Sequence, residues 1–217
     1  MNTEREIAKN LLQIKAIKLS PQNPFTWASG IKSPIYCDNR IALSHTEVRK
    51  SIKLGFCELS KQFEEFDHIS GVATAGIAHG ALLADHLELP FSYVRAKAKG
   101  HGKKNKIEGY IKPGSKILVV EDLFSTGGSS ILAIQDLQKE GFEVVGVMAI
   151  FTYGFEKAKQ NFKSIKTKYA TLSNYATLLT EAKSSGYISD DEAKTLLEWS
   201  SSPSEWYDNN FKKKQNK

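Results

Sequence analysis

Cysteine is scarce in this chain of 217 residues, and long apolar runs are missing. The two cysteines, Cys37 and Cys57, have a spacing that gives neither a disulfide framework nor a metal-ligand pattern. No apolar run approaches the roughly 20 residues of a membrane-spanning helix. The first six residues also lack the pattern of a signal peptide. These absences predict a reduced, cytoplasmic protein with no membrane partner.

Two further absences concern cofactors. The five histidines form no metal-ligand pattern, so we expect no zinc site. The sequence also lacks a Gly-x-Gly-x-x-Gly fingerprint, which argues against a dinucleotide-dependent oxidoreductase.

Positive charge is present in excess, with a net charge of +6, and it favours anionic partners. The lysines of the last six residues are typical of a solvated end. A second cluster, the basic loop of residues 95–106, contains no acid. Its basic residues are Arg95, Lys97, Lys99, Lys103, Lys104 and Lys106. An internal cluster of this kind needs a functional explanation.

Strand and helix patterns alternate through the middle of the chain. Apolar runs predict strands at residues 68–73, 91–96, 116–120 and 144–151. Helical patterns occupy residues 76–87 and 128–140. Such alternation implies a parallel sheet covered by helices on both faces, so the predicted fold class is α/β.

Helices are also predicted at both ends of the chain. Thr3 begins a first helix, and Ser44 with Glu47 forms a capping pattern for a second. Toward the C-terminus, residues 176–183 and 190–199 have helical patterns. We interpret the C-terminal pair as an extension packed on the α/β core.

Residues 117–130 are the most informative segment. Their predicted strand ends at two acids, Glu121 and Asp122, and the phosphate loop, residues 125–129, leads into a helix. Glycines at 127 and 128 allow a tight turn with inward N–H groups. The helix start adds unpaired donors and partial positive charge. The loop therefore suits a phosphate, and the acids suit the hydroxyls of a ribose.

A plainer interpretation is a strand–turn–helix whose acids lie near the helix N-terminus because of its dipole. That interaction contributes only about 0.3–1 kcal/mol per charge. It does not require two acids and two glycines at this spacing, so we favour the ligand site.

The segment resembles the phosphoribosyl-diphosphate (PRPP) binding motif of the type I phosphoribosyltransferases, and the resemblance implies their fold. It also implies PRPP contacts from nine consecutive residues. These are Glu121, Asp122, Leu123, Phe124, Ser125, Thr126, Gly127, Gly128 and Ser129. Residues 71–80 occupy the position of the family's diphosphate loop. Their Gly71–Gly76 spacing imitates a nucleotide P-loop, but Ile77 replaces its lysine, which argues against a kinase.

The basic loop resembles the catalytic loop of the orotate phosphoribosyltransferases. Arg95, Lys99 and His101 match its pattern, which implies diphosphate binding and catalytic roles. In that family the loop commonly reaches the neighbouring subunit, so a homodimer is implied. A solvated loop or a nucleic-acid patch is the alternative, but aromatic residues are nearly absent from residues 95–109.

Residues 23–40 contain Ser-Gly-x-x-Ser-Pro and resemble the hood that covers the base in the same family. By position, Tyr36 and Cys37 offer backbone groups to orotate, and Ser125 contacts its far side. A proline-stiffened surface loop is the alternative.

The chain departs from some branches of the family. Lysines present there are replaced by Ala28, Ala75 and Ala96, and an arginine by Tyr153. Their contacts are lost, moved or replaced, and Lys32 and Lys97 are the candidates for replacement.

Together the resemblances imply transfer of the phosphoribosyl group of PRPP to orotate, with Mg²⁺ held mainly by substrate oxygens and water. Two alternatives stay open: a phosphoribosyltransferase for another base, and a PRPP-binding regulator that binds nucleic acid. The basic loop favours catalysis without a nucleic-acid partner, since no helix-turn-helix or aromatic RNA-binding strand is evident.

The predicted organisation has three parts. An N-terminal helix and hood occupy residues 1–42, an α/β PRPP-binding core residues 43–165, and a helical extension with a basic tail residues 166–217.

Overall fold

The computed structural model describes residues 3–27, 29–97 and 106–212. The strands are β1 (Ile17–Leu19), β2 (Phe25–Thr26), β3 (Lys32–Ser33), β4 (Ile35–Cys37), β5 (His68–Val72), β6 (Phe91–Val94), β7 (Ile107–Glu108), β8 (Lys116–Phe124), β9 (Glu143–Thr152) and β10 (Tyr169–Asn174). The helices are α1 (Thr3–Gln13), α2 (Thr46–Ser60), α3 (Ala75–Leu87), α4 (Gly128–Lys139), α5 (Glu156–Ser164), α6 (Tyr175–Ser184) and α7 (Asp190–Ser201).

Six strands form one sheet in the order β10-β9-β8-β5-β6-β7. All neighbouring pairs are parallel except β6 and β7, which are antiparallel. The predicted α/β fold class is confirmed. In a sheet of this kind, ligands bind beyond the carboxyl ends of the strands, here called the carboxyl edge.

Hydrophobic cores lie on both faces of the sheet. Along β8, Ile117 and Val119 belong to one core, while Leu118 and Val120 belong to the other. This alternation follows from the two-residue period of a strand. Helices α4 and α5 cover the first face, and the second is covered by α1, α2, α3, α6 and α7. Burial on both faces explains the continuous apolar runs in the sequence.

Strand β8 is longer than predicted. The predicted strand ended at residue 120, whereas β8 continues through Phe124, which pairs with Thr152 of β9. Glu121 and Asp122 are therefore strand residues. Pairing with β9 keeps the backbone of this end of β8 extended, although the two acids interrupt the apolar run.

The predicted start of the second helix at Ser44 was wrong. Residues 39–44 form a 3₁₀ turn, and α2 begins at Thr46 after His45. The helix predicted at residues 190–199 is α7, and Ser189 and Glu192 form a capping box at its start.

Helix α5 and strand β10 were missed by the sequence analysis. Strand β10 pairs with β9 in parallel, so the sheet continues past residue 165 into the predicted extension. In the described ranges, no helix has the length and apolar character needed to cross a membrane.

Helix α1 is tied to the C-terminal third of the chain through Glu4. Its carboxylate accepts hydrogen bonds from Thr177 Oγ1 at 2.6 Å and from Asn174 Nδ2. Its backbone oxygen accepts one from Ser173 Oγ at 2.9 Å. The first turn of the protein is thereby fixed to the junction of β10 and α6.

Candidate active site

The two acids of β8 lie at the carboxyl edge, beside the phosphate loop. Glu121 is buried, and its Oε2 accepts a hydrogen bond from Ser129 Oγ at 2.9 Å. Its Oε1 accepts one from the backbone N–H of Asp122 at 3.0 Å. Glu121 thus joins the end of the strand to the start of α4, as the proximity of acids and loop in sequence suggested.

Burial is the main cause that raises the pKa of both carboxyl groups above their ordinary values. For Glu121 the neighbouring charge of Asp122 adds to the effect. Hydrogen-bond donors favour the charged form of such groups. A ligand hydroxyl that donates to the pair would therefore favour the charged form, which burial disfavours.

Within the phosphate loop, Gly127 has a φ of 77°, which lies in the left-handed region. Helix α4 follows at Gly128, and its N-cap residue, Gly127, has no side chain to cap the first turn. Thr126, Gly128 and Ser129 are exposed. The loop therefore presents hydroxyls and backbone N–H groups at a helix N-terminus, as an anion site requires.

The side chain of Phe124, one of the predicted PRPP contacts, lies in the core. Its exposure is 0%, and its ring packs against Phe162 and Tyr169. Its carbonyl oxygen already accepts hydrogen bonds from Thr152 Oγ1 and the N–H of Tyr153. Phe124 therefore shapes the site from beneath, while Leu123 and Ser125 are half-buried.

A second helix N-terminus lies next to β8. Helix α3 starts at Ala75, and a Cβ built on Gly76 would lie 2.4 Å from the carbonyl oxygen of Val120. Only glycine allows this approach without a backbone shift. The predicted diphosphate loop therefore packs against the strand that carries the two acids, and its Ala73–Thr74 peptide is cis.

Arg95 stands at the carboxyl end of β6, where the basic loop begins. Its Nη1 lies 3.3 Å from Glu108 Oε1, and its backbone N–H donates to the carbonyl of Lys106 at 2.8 Å. Lys106 Nζ pairs with Asp136 of α4 at 2.9 Å. The two ends of the loop are thus held together, while Lys99 and His101 lie outside the described residues.

The hood is fastened to β8 by Asn39, which the sequence analysis missed. This buried side chain donates from Nδ2 to the carbonyl of Asp122 at 2.8 Å. Its Oδ1 accepts a hydrogen bond from Cys37 Sγ at 3.4 Å. Cys37 and Tyr36 are therefore brought beside the acids. The one signal for Asn39 in the sequence is that a polar residue follows the short strand β4.

An aromatic cluster supports the hood from the other side. The Trp27 ring stacks on Tyr153 at 5.3 Å between centroids, and Trp27 Nε1 donates to the carbonyl of Ile35 at 3.0 Å. Trp199 of α7 packs edge-on against Tyr153 at 5.6 Å. Burial and then the nearby Cys37 and Asp122 raise the pKa of Tyr153.

In the part of the chain that the structure describes, no three His, Cys, Asp or Glu side chains are grouped to hold a metal ion. The donors at the carboxyl edge are carboxylate and hydroxyl oxygens, which are the ligands Mg²⁺ prefers. The two carboxylates of β8 fit an ion that keeps other ligands from substrate or water.

Comparison with known proteins agrees with this geometry. Residues 47–180 match the model of the phosphoribosyl transferase domain. An orotate phosphoribosyltransferase from Staphylococcus saprophyticus is 52% identical over 196 residues, which cover 90% of this chain and 97% of that protein.

Solved structures show the same architecture. An orotate phosphoribosyltransferase from Aeropyrum pernix has a TM-score of 0.73 at 27% identity, over 84% of this chain and 99% of that one. The UMP synthase of Leishmania donovani has a TM-score of 0.79 at 24% identity over 91% of this chain. This chain spans 42% of that longer protein, and the likeness concerns the fold alone.

Proposed function

The chain belongs to the phosphoribosyltransferase family, among the orotate phosphoribosyltransferases, and on that premise we propose how its residues divide the work. The reaction transfers the 5-phosphoribosyl group of PRPP to orotate in pyrimidine biosynthesis. Orotate N1 gives up its proton and bonds to the anomeric carbon, and the bond from that carbon to diphosphate breaks, giving orotidine 5′-monophosphate. The observation that carries the proposal is the hydrogen bond from Ser129 of the phosphate loop to Glu121, which also accepts a hydrogen bond from the N–H of Asp122 at the carboxyl edge.

The phosphate loop binds the 5-phosphate of PRPP. Its hydroxyl groups and the uncapped start of α4 provide donors and partial positive charge. Glu121 and Asp122 accept hydrogen bonds from the ribose 2′ and 3′ hydroxyls. Those donors stabilise the charged form of the two carboxyl groups, which burial disfavours. The same hydrogen bonds orient the sugar ring.

The diphosphate lies at the start of α3, near Arg95. Residues 74–76 provide backbone donors there, and Arg95, Lys99 and His101 provide positive charge as the leaving group gains negative charge. Arg95 exchanges part of its contact with Glu108 for the diphosphate. Bound Mg²⁺, held mainly by substrate oxygens and water, would neutralise phosphate charge, while Glu121 and Asp122 orient the ribose hydroxyls.

The hood binds the base. Tyr36 and Cys37 offer backbone groups to the pyrimidine, and Ser125 contacts it from the phosphate loop. The link from Asn39 to the carbonyl of Asp122 supports this assignment, because it fixes the hood directly beside the ribose site.

We also propose a cytoplasmic homodimer in which the basic loop reaches the partner's site and no nucleic acid takes part. The free thiols of Cys37 and Cys57 support the cytoplasmic location, because thiols stay reduced there. The pairing of β6 with β7 supports the role of the basic loop, because it holds both ends of the loop at the carboxyl edge. Sedimentation of the purified protein, with and without PRPP, tests the dimer.

The deciding experiment follows the absorbance of orotate with purified protein, PRPP and Mg²⁺. We expect consumption of orotate and formation of diphosphate in equal amounts. Parallel reactions with uracil, adenine and hypoxanthine test the alternative bases, and Asp122→Asn controls for a contaminating enzyme. Turnover of another base with none of orotate would contradict the proposal. Salt-dependent RNA or DNA binding without turnover would favour the regulator.

A further inference from the structure

Helix α5 lies against the phosphate loop, although it begins some thirty residues later in the chain. Asn161 Nδ2 donates a hydrogen bond to the carbonyl oxygen of Thr126 at 2.9 Å. Thr126 is exposed and lies in the loop that holds the 5-phosphate in the proposed function. An amide from a separate element therefore fixes the backbone of the loop.

Phe162, the next residue of α5, forms the floor beneath the loop. Its side chain is fully buried, and a Cβ built on Gly127 would lie 2.8 Å from the ring. The ring itself is held between Phe124, at 5.0 Å between centroids, and Tyr169, at 4.6 Å. The loop thus rests on a packed aromatic surface with no room for a side chain on Gly127.

The geometry of one peptide links these contacts to ligand binding. In a planar trans peptide, the C=O and N–H groups point in opposite directions. When Asn161 holds the carbonyl of Thr126 toward α5, the N–H of Gly127 is directed away from α5. A donor directed before the ligand arrives costs no reorganisation on binding.

We infer that Asn161, seated beside Phe162, is a positioning residue for the 5-phosphate site: it holds the phosphate loop in its anion-binding shape. This inference rests on the proposed function for the identity of the substrate. Asn161 acts through the backbone of Thr126 and Gly127, so it differs from the residues that contact PRPP.

The test compares Asn161→Ala and Asn161→Asp with Gln160→Ala, an exposed neighbour on the same helix. We expect both Asn161 variants to raise KM for PRPP about tenfold, the scale of one lost hydrogen bond. KM for orotate and the melting temperature should stay near the unchanged protein's values. Gln160→Ala should behave as the unchanged protein.

Calorimetric titration with two probes separates this inference from the proposed function. Asn161→Ala should weaken binding of ribose 5-phosphate about tenfold and leave binding of diphosphate unchanged. This measurement needs no turnover, so it applies even if orotate is not the base. Unchanged ribose 5-phosphate binding would overturn the inference, as would equal losses for both probes or a loss that follows a lowered melting temperature.

Discussion

The ring of Trp27 in the hood meets the ring of Trp199 in α7 edge-on, with 5.8 Å between their centroids and an interplanar angle of 83°. Helix α7 belongs to the predicted C-terminal extension, whose role the sequence left open. Trp199 is fully buried and also packs against Phe155 and Tyr175. The C-terminal helices therefore support the segment that binds the base in the proposed function.

Replacing Trp199 with phenylalanine should disturb the base site more than the phosphate site. The smaller ring leaves a cavity, and we expect a loss of about 1–2 kcal/mol in unfolding free energy. Because Trp27 loses its edge-on partner, KM for orotate should rise more than KM for PRPP. Urea unfolding and steady-state kinetics measure both effects. Leu197→Ala, at a site 54% exposed on the same helix, is the control. Equal changes in the two KM values would contradict this assignment.

Asp122→Asn should weaken the use of PRPP. The amide keeps the size of the carboxylate but loses charge-assisted hydrogen bonds to the ribose, so kcat/KM for PRPP should fall about 10- to 100-fold. Asp191→Asn, on the exposed surface of α7, should have no effect. Saturation kinetics with each substrate in turn measure the change. An unaltered kcat/KM would remove Asp122 from the ribose site.

Lys99→Ala and His101→Ala should each lower kcat far more than they alter folding. A lost donor to the departing diphosphate costs about 2.7–4 kcal/mol of transition-state stabilisation, a fall of roughly 100- to 1,000-fold. Lys112→Ala removes an exposed lysine outside the basic loop and serves as the control. Single-turnover rates and thermal melts are the measurements. Normal turnover in either variant would show that its side chain has no catalytic role.

Glu121 should make the ligand-free protein less stable as pH rises. Burial raises its pKa above the ordinary 4.5, so above about pH 4.5 the folded state holds more protons than the unfolded state. The contribution then falls with pH, by at most about 1.4 kcal/mol per pH unit, until the raised pKa is passed. Glu121→Gln should remove this slope.

Urea midpoints between about pH 5 and pH 7.5 provide the measurement for Glu121. Subtracting the variant's curve from that of the unchanged protein cancels the other titrating groups. Glu64→Gln, at an exposed position, controls for the loss of one charge. A difference curve that is flat or rises with pH would show that burial does not disfavour the charged form of the Glu121 carboxyl group.

The sequence predicted those parts of the fold whose signal is local. Strand β9 is a continuous apolar run, and Gly141, with φ of 86°, follows α4 at a position where glycine commonly ends a helix. Helix α5 was missed because only Ala158 and Phe162 of its nine residues are buried. The end of β8 was missed because Glu121 and Asp122 interrupt the apolar run, whereas pairing with β9 continues to Phe124.

The candidate site also has a part that the sequence predicts and a part that depends on tertiary packing. The acids and the phosphate loop are contiguous in sequence, so their meeting at the carboxyl edge was predictable. Asn39 reaches Asp122 from 83 positions away, and Asn161 reaches Thr126 from 35. Contacts between such distant positions depend on tertiary packing, which one sequence does not display. The same limit hid the meeting of Trp27 and Trp199.

The bonds that Glu4 makes with Ser173, Asn174 and Thr177 have a consequence for biosynthesis. The hydrogen bonds that fix the first turn of α1 to the junction of β10 and α6 cannot form until residues 173–177 have left the ribosome. Contacts of that sequence separation are slow to form. Nascent chains arrested before residue 169 should therefore remain open to proteases. Acquisition of resistance should coincide with emergence of the last strand of the sheet.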